Sequence, residues 1–226
     1  MTIDKKFIDQ FKNVSIKAAL ASYYLIGKKG IFLDVGCYHP TQWNNTKALE
    51  EAGWKGLMFD IREKWVELCK QHRTSKVFCV DVSSDEFANI LKENLDRPVI
   101  DYISLDADDG SLGALKQLLE NGFSFKCMTF EHDYYDRGNV LKAPSKALLE
   151  AFGYQPLFED VTLADGKIWE DWWVNPTCFS EELMAFSSIN WILLLDFQVL
   201  ENLPLFFVRK ICSATSPNKK IATVII

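Results

Sequence analysis

From residue 31 to residue 130 the chain alternates short, continuous apolar runs with longer segments patterned as helices, and an acid stands at or just past the end of each run. The runs cover 31–35, 56–59, 76–80, 100–105 and 125–130, and the helical patterns between them cover 43–52, 63–71, 84–94 and 111–120. A strand that is apolar at nearly every position is buried on both faces. Such strands alternating with helices form a parallel sheet covered on each side by helices. Ser84 and Ser111 stand where N-caps belong, and Gly53, Gly122 and Gly153 follow helical patterns as C′ glycines do.

The alternation then breaks. Residues 143–152 read as a helix, 154–162 as a strand, Ala164-Asp165-Gly166 as a turn and 167–174 as a second strand, which together make a hairpin. The expected fold is α/β: a Rossmann-like three-layer sandwich around a mostly parallel seven-stranded sheet, with an antiparallel strand supplied by the terminal hairpin. Residues 1–29 form an expected helical extension, because Ile3, Phe7, Ile8, Phe11 and Val14 recur near helical spacing. Residues 30–176 form the sheet domain, and 177–226 a helical, apolar extension.

The acids converge. Asp34 closes the first run, Asp60 follows the second, Asp81 the third, Asp106 and Asp108 the fourth, and Glu131 and Asp133 the fifth. In a parallel sheet all these ends lie on one edge, where open α/β sheets bind ligands. Acids brought together there repel one another unless a cation, a ligand or a proton offsets them, which marks a functional edge. Gly36 follows Asp34 by two residues and lets the backbone turn tightly. Asp60 stands where a carboxylate accepts hydrogen bonds from a ribose diol.

Charge and cysteine usage narrow the partners. The chain carries 31 acidic and 25 basic residues, a formal net charge of −6, which disfavours nucleic acid and anionic membranes as partners. None of the six cysteines forms a C-x-x-C pair, so zinc is disfavoured and buried free thiols in a reducing cytoplasm are expected. The most apolar stretch, Trp191-Ile192-Leu193-Leu194-Leu195, ends at Asp196, far short of the ~20 residues a spanning helix needs. A homodimer formed through the apolar C-terminal segment is a further expectation.

Several motifs resemble a known family. Phe32-Leu33-Asp34-Val35-Gly36-Cys37-Tyr38-His39-Pro40, then Asn44-Asn45-Thr46, Gly53-Trp54-Lys55-Gly56 and Tyr102-Ile103-Ser104-Leu105-Asp106-Ala107-Asp108, together are similar to the FkbM-type methyltransferases. The likeness covers about residues 30–175. Cys37 and Tyr38 are bulkier than the residues usual there, and Asp109 intrudes before Gly110. The resemblance implies a class I S-adenosylmethionine (SAM)-dependent O-methyltransferase acting on hydroxyls of small polar acceptors, carbohydrates above all. The antiparallel last strand is also a mark of that class. It implies that Asp34, Gly36, Tyr38 and their loop meet the methionine part of the cofactor. Asp60 would hold the ribose, and Asp81 and Val82 would flank the adenine. Asp106 would serve the same pocket, and Asn45 or Thr46 would contact the cofactor carboxylate.

Methyl transfer needs an acceptor held in line and relieved of its proton. His132 is the expected base, since imidazole titrates near neutrality. Asp108 is its rival, and Asp106 completes the catalytic set. A magnesium ion held by Asp106, Glu131 and Asp133 is a further candidate, because hard cations take carboxylate oxygens. Trp172 and Trp173 alternate across their strand and are read as core. The rival readings are a nicotinamide-dependent oxidoreductase, a SAM-binding scaffold without activity and a nucleic-acid methyltransferase. Tyr38 and Thr41 stand where the G-x-G-x-x-G fingerprint of the first would need glycines.

Overall fold

The computed structural model of the chain describes residues 29–162 and 166–178. The expected N-terminal helix over 1–27, Ala164 and Asp165 of the hairpin turn, and the segment from 179 onward, with its dimer contact, lie outside the described residues. Among the described residues no helix is long and apolar enough to cross a membrane.

Seven strands form one sheet: β1 (Ile31–Val35), β2 (Lys55–Asp60), β3 (Lys76–Cys79), β4 (Val99–Leu105), β5 (Ser124–Glu131), β6 (Gln155–Thr162) and β7 (Ile168–Val174). Their spatial order is β3-β2-β1-β4-β5-β7-β6. The first five are parallel. β7 inserts between β5 and β6 and runs antiparallel to both. The helices are α1 (Lys47–Glu51), α2 (Glu63–His72), α3 (Asp85–Asn94), α4 (Ser111–Glu120), α5 (Tyr134–Arg137) and α6 (Asn139–Ala151). The fold expected from the alternating runs is the one observed.

Both sheet faces are dry. One core joins Leu33, Phe59, Ile103, Met128 and Trp173 with Phe87, Leu115 and Leu149 of α3, α4 and α6. The other joins Phe32, Met58, Tyr102 and Trp172 with Leu49 of α1 and Val66 and Cys69 of α2. Trp172 and Trp173 thus fall on opposite faces, as strand alternation requires. Burial of apolar surface on both faces is the main favourable term for a sheet of this kind.

Three local readings change. The helix expected over 43–52 shrinks to α1, because side chains commit residues 39–46 to a loop. The backbone N–H groups of Thr41 and Gln42 donate to His39 Nδ1, and those of Thr46 and Lys47 donate to Asn44 Oδ1. The helix expected from 143 begins at Asn139, because Gly138, at φ 58°, turns the chain after α5. Ser84 stands at the N-cap of α3, yet its hydroxyl donates to the Asp81 carbonyl (2.6 Å) instead of capping.

The loop after β1 is anchored by a buried polar network. Arg73, whose side chain is fully buried, donates through Nε to Glu50 (2.7 Å), through Nη1 to Asn44 Oδ1 (3.0 Å) and through Nη2 to Thr46 Oγ1 (3.0 Å). Asn44 and the Thr46 hydroxyl in turn donate to Asp34. Burial opposes the charge of Glu50, but the bonds from Ser75 and Arg73 outweigh it and hold that carboxyl below its ordinary range. Burial raises Asp34, with Arg73 and its two bonds acting against the rise. Removing one partner of a buried ion pair strands the other's charge, at a cost of about 3–5 kcal/mol. Arg73→Ala is therefore expected to lower unfolding free energy by about that amount, read by urea denaturation. A loss under about 1 kcal/mol would contradict this account of the network.

Candidate functional site

The strand order reverses between β1 and β4, so their outgoing loops diverge and leave a cleft at the carboxyl edge. At that point Gly36 takes φ 86°. A Cβ on Gly36 would fall 1.6 Å from the Asp106 carbonyl oxygen. The close approach foreseen for Gly36 is thus made first to the backbone after β4. Gly36 N–H and Cys37 N–H both donate to the Phe59 carbonyl (2.9 Å), and Asp106 N–H donates to the Val35 carbonyl (2.8 Å). The three outgoing loops are stitched together by these bonds.

A cavity of about 430 Å³ opens there. It is lined by Gly36, by Asp60-Ile61-Arg62 after β2, by Val80-Asp81-Val82-Ser83 after β3 and by Asp106-Ala107-Asp108-Asp109-Gly110 after β4. Of the residues singled out from the sequence, Gly36, Asp60, Asp81, Val82, Asp106 and Asp108 come together on this wall. Asp60 is buried and organises it. Its Oδ2 accepts from Tyr38 N–H (2.9 Å), and its Oδ1 accepts from Arg62 N–H (2.9 Å) and Arg62 Nε (3.2 Å). Asp81 Oδ1 accepts from the Ser83 N–H and hydroxyl, bonds that hold its carboxyl below the ordinary range.

The other singled-out residues stand elsewhere. Asp34 and Thr46 are enclosed in the Arg73 network and do not line the cavity. Asn45 donates to the Ser104 hydroxyl (2.9 Å). Tyr38 contributes its backbone to Asp60, while its ring packs on Trp65 at 4.2 Å and lies beneath the Arg62 guanidinium at 5.5 Å. His132 is 0% exposed, its Nε2 is 3.4 Å from Asp171, and neither ring nitrogen makes a hydrogen bond. The register explains this. His132 N–H donates to the Trp169 carbonyl, which draws the residue into the β5–β7 pairing and away from the open edge.

The magnesium expectation is not supported. Among the described residues no group of three or more His, Cys, Asp or Glu side chains is arranged to hold a metal ion. Asp106 and Glu131 turn toward each other and share a hydrogen bond, while Asp133 faces Arg137 at 3.7 Å. Asp106 is exposed as a residue and Glu131 half-buried, and desolvation together with the neighbouring acids raises both carboxyls.

Sequence reasoning missed Ile61, Arg62 and Asp109 as wall residues, Arg73 as the anchor of the loop after β1 and Arg137 as the partner of Asp108 and Asp109. For Ile61 and Arg62 the signal was available, since residues following an acid at a strand end share its edge. For Arg73 no local signal exists, because Glu50, Asn44 and Thr46 lie 23–29 residues away, and for Arg137 the local i,i+4 pair with Asp133 gives no hint of Asp108 and Asp109, 28–29 residues away.

No family model matches the sequence, and no curated protein matches it. Among solved structures, a proposed rRNA methylase from Clostridium thermocellum is similar at 13% identity over 77% of this chain and 97% of its own, with TM-score 0.52. Two others fall below a TM-score of 0.5. A proposed methyltransferase from Streptococcus mutans, in complex with S-adenosylhomocysteine, matches at 10% identity over 70% and 95% of the two chains, TM-score 0.49. Magnesium protoporphyrin IX methyltransferase from Synechocystis, with bound SAM, matches at 13% over 76% and 84%, TM-score 0.48.

The raised acid pair sets a pH dependence. A carboxyl whose native pKa lies above its unfolded value stabilises the fold fully below the unfolded value, near pH 4. It loses that contribution as pH rises through the native value, at up to ~1.4 kcal/mol per pH unit per proton. Stability is thus expected to fall from pH 5 toward pH 9, and Glu131→Gln, which stays neutral, is expected to flatten the slope. Chemical denaturation at several pH values reads it, and an unchanged slope in the variant counts against the raised pair. The chain has the α/β, Rossmann-like fold seen in methyltransferases.

Proposed function

We propose that the chain is a SAM-dependent methyltransferase whose cofactor occupies the cavity between the loops after β1, β2, β3 and β4. The observation that carries the reading is the sign of the cavity wall. Asp60, Asp81, Asp106, Asp108 and Asp109 line it against one cation, Arg62, itself bonded to Asp60. Such a wall repels the pyrophosphate of a nicotinamide dinucleotide and attracts a ligand bearing a sulfonium and an ammonium group. A volume of about 430 Å³ suits a nucleoside-sized ligand.

The residues present fit that ligand. Asp60 spends its lone pairs on Tyr38 and Arg62 only in part, and a carboxylate accepts about four hydrogen bonds, so it can also take a ribose diol. Asp81 commits Oδ1 to Ser83 and keeps Oδ2 for a donor on the ligand. Ile61 and Val82 offer apolar flanks for a flat base. When bound, the cofactor supplies a methyl group already activated on its sulfonium, so the protein has to position the acceptor and receive its proton.

Of the two proton acceptors read from the sequence, Asp108 is the better placed, because it stands on the cavity wall while His132 is sealed beside Asp171. The finer assignment, an FkbM-like O-methyltransferase acting on a hydroxyl of a small polar acceptor such as a carbohydrate, rests on the motifs at 32–40, 44–46, 53–56 and 102–108. Exposed Asp81, Asp108 and Asp109 at the cavity rim favour such an acceptor over a polyanionic nucleic acid.

Calorimetric titration tests the reading. SAM and S-adenosylhomocysteine are expected to bind in the micromolar range, NAD and NADP not at all, and Asp60→Ala is expected to weaken SAM by at least about tenfold, as loss of hydrogen bonds to a charged group does. Absence of SAM binding sinks the proposal, and strongly salt-dependent RNA binding would redirect the acceptor.

A further inference from the structure

The last wall of the cavity is the segment 106–110, five consecutive lining residues. Its middle is strained. Asp108 adopts φ 51°, the left-handed region, which a residue with a Cβ enters only when its surroundings hold it there. The loop after β5 repeats the feature, with Asp133 at φ 47°. These are two non-glycine residues in the same disfavoured conformation, at the ends of two adjacent strands.

One side chain touches both. Arg137, the last residue of α5, directs Nη2 to Asp108 Oδ1 (3.3 Å), Nη1 to Asp109 Oδ1 and Nε toward Asp133 Oδ2 (3.7 Å). Its own N–H donates to the Asp133 carbonyl (2.8 Å). A planar guanidinium presents its donors in a fixed fork, so three carboxylates on two loops are held in one relative arrangement. Elsewhere the segment 106–110 is held by the Val35 carbonyl at one end and by Ser111, whose hydroxyl accepts from Ala107 N–H (2.9 Å), at the other. Among the described residues Arg137 is the cation that reaches the two side chains between those anchors. Asp109 is 90% exposed and packs against nothing that would replace the contact.

We propose that Arg137 is a positioning residue: it fixes the cavity wall after β4 to the turn after β5, and so pre-organises the ligand site without lining it. The inference rests on the reading of the cavity as the SAM site only for the choice of ligand. A wall that is already ordered spares the ligand the entropy of ordering it. The guanidinium also pairs with Asp108 and Asp109, leaving the wall negative, and these carboxylates are exposed and screened by water, so geometry outweighs charge. Lysine keeps the charge and loses the fork, which separates the two effects.

The experiment compares the wild-type chain with Arg137→Ala, Arg137→Lys and Asp133→Asn. Asparagine tolerates the left-handed conformation, and Asp133 lies off the cavity wall, so this variant loosens the grip without touching the ligand or the fold. Three quantities are read: amide hydrogen exchange in the ligand-free chain, SAM affinity by calorimetry, and Tm. The expected result is exchange about tenfold faster at 107–110 in both Arg137 variants, SAM affinity lowered about tenfold, Tm changed by no more than ~2 °C, and a smaller change of the same kind in Asp133→Asn. Wild-type behaviour of Arg137→Lys overturns the proposal by showing that charge alone matters. So does faster exchange spread over the whole chain in Arg137→Ala with no local change in Asp133→Asn, which is the mark of a merely structural residue. If the wild-type chain binds no SAM, the function reading fails by itself, and local exchange at 107–110 still decides the role of Arg137.

Discussion

The site depends on one backbone contact. Where β1 and β4 lie side by side and the order of strands reverses, the turn at Gly36 presses against the Asp106 carbonyl so closely that no Cβ fits between them. A left-handed glycine there lets the loop after β1 pass toward β2 and bond to the Phe59 carbonyl, while the backbone after β4 bonds back to Val35. With any other residue the two loops would have to part, and the wall segments that carry Asp60 and Asp106 would part with them. The cavity is thus a consequence of sheet topology, made tight by the smallest side chain available.

Charge is handled differently inside and at the rim. On the inner side each acid is given something that offsets it. Asp34 has Thr46 and Asn44 with Arg73 behind them, and Asp60 has two N–H groups and Arg62. At the rim Asp81, Asp108 and Asp109 remain exposed, answered by Ser83 and by Arg137. The inner arrangement holds the walls in place at the cost of desolvating several carboxyls. The outer one leaves a field that selects the sign of what enters.

The fold was legible because it rests on burial, and burial writes itself into local sequence. A strand dry on both faces must be apolar throughout, which is why 31–35 and 100–105 marked β1 and β4 within a residue. The helix ends were legible where Gly53, Gly122 and Gly153 take positive φ. The site was legible in part. Asp60, Asp81, Asp106 and Asp108 follow strand ends, and parallel strands deliver their ends to one edge. His132 follows the end of β5 by the same rule, yet it is sealed, because β7 pairs with β5 beyond the strand's apolar run and the Trp169 carbonyl takes its N–H. Periodicity within β5 carries no trace of that pairing.

Apolar periodicity, glycine placement and the position of acids after strands were enough to specify a parallel sheet, its antiparallel hairpin and the edge at which chemistry is gathered, since each depends on a residue and its near neighbours in the chain. Which acids face a cavity, which meet one another and which are bound by arginine depended on contacts between segments far apart in sequence. Arg73 reaches Glu50, Asn44 and Thr46, and Arg137 reaches Asp108 and Asp109, across 23–29 residues. Electrostatic interaction falls off with distance in space and is blind to separation along the chain, so only the folded arrangement could assign these partners.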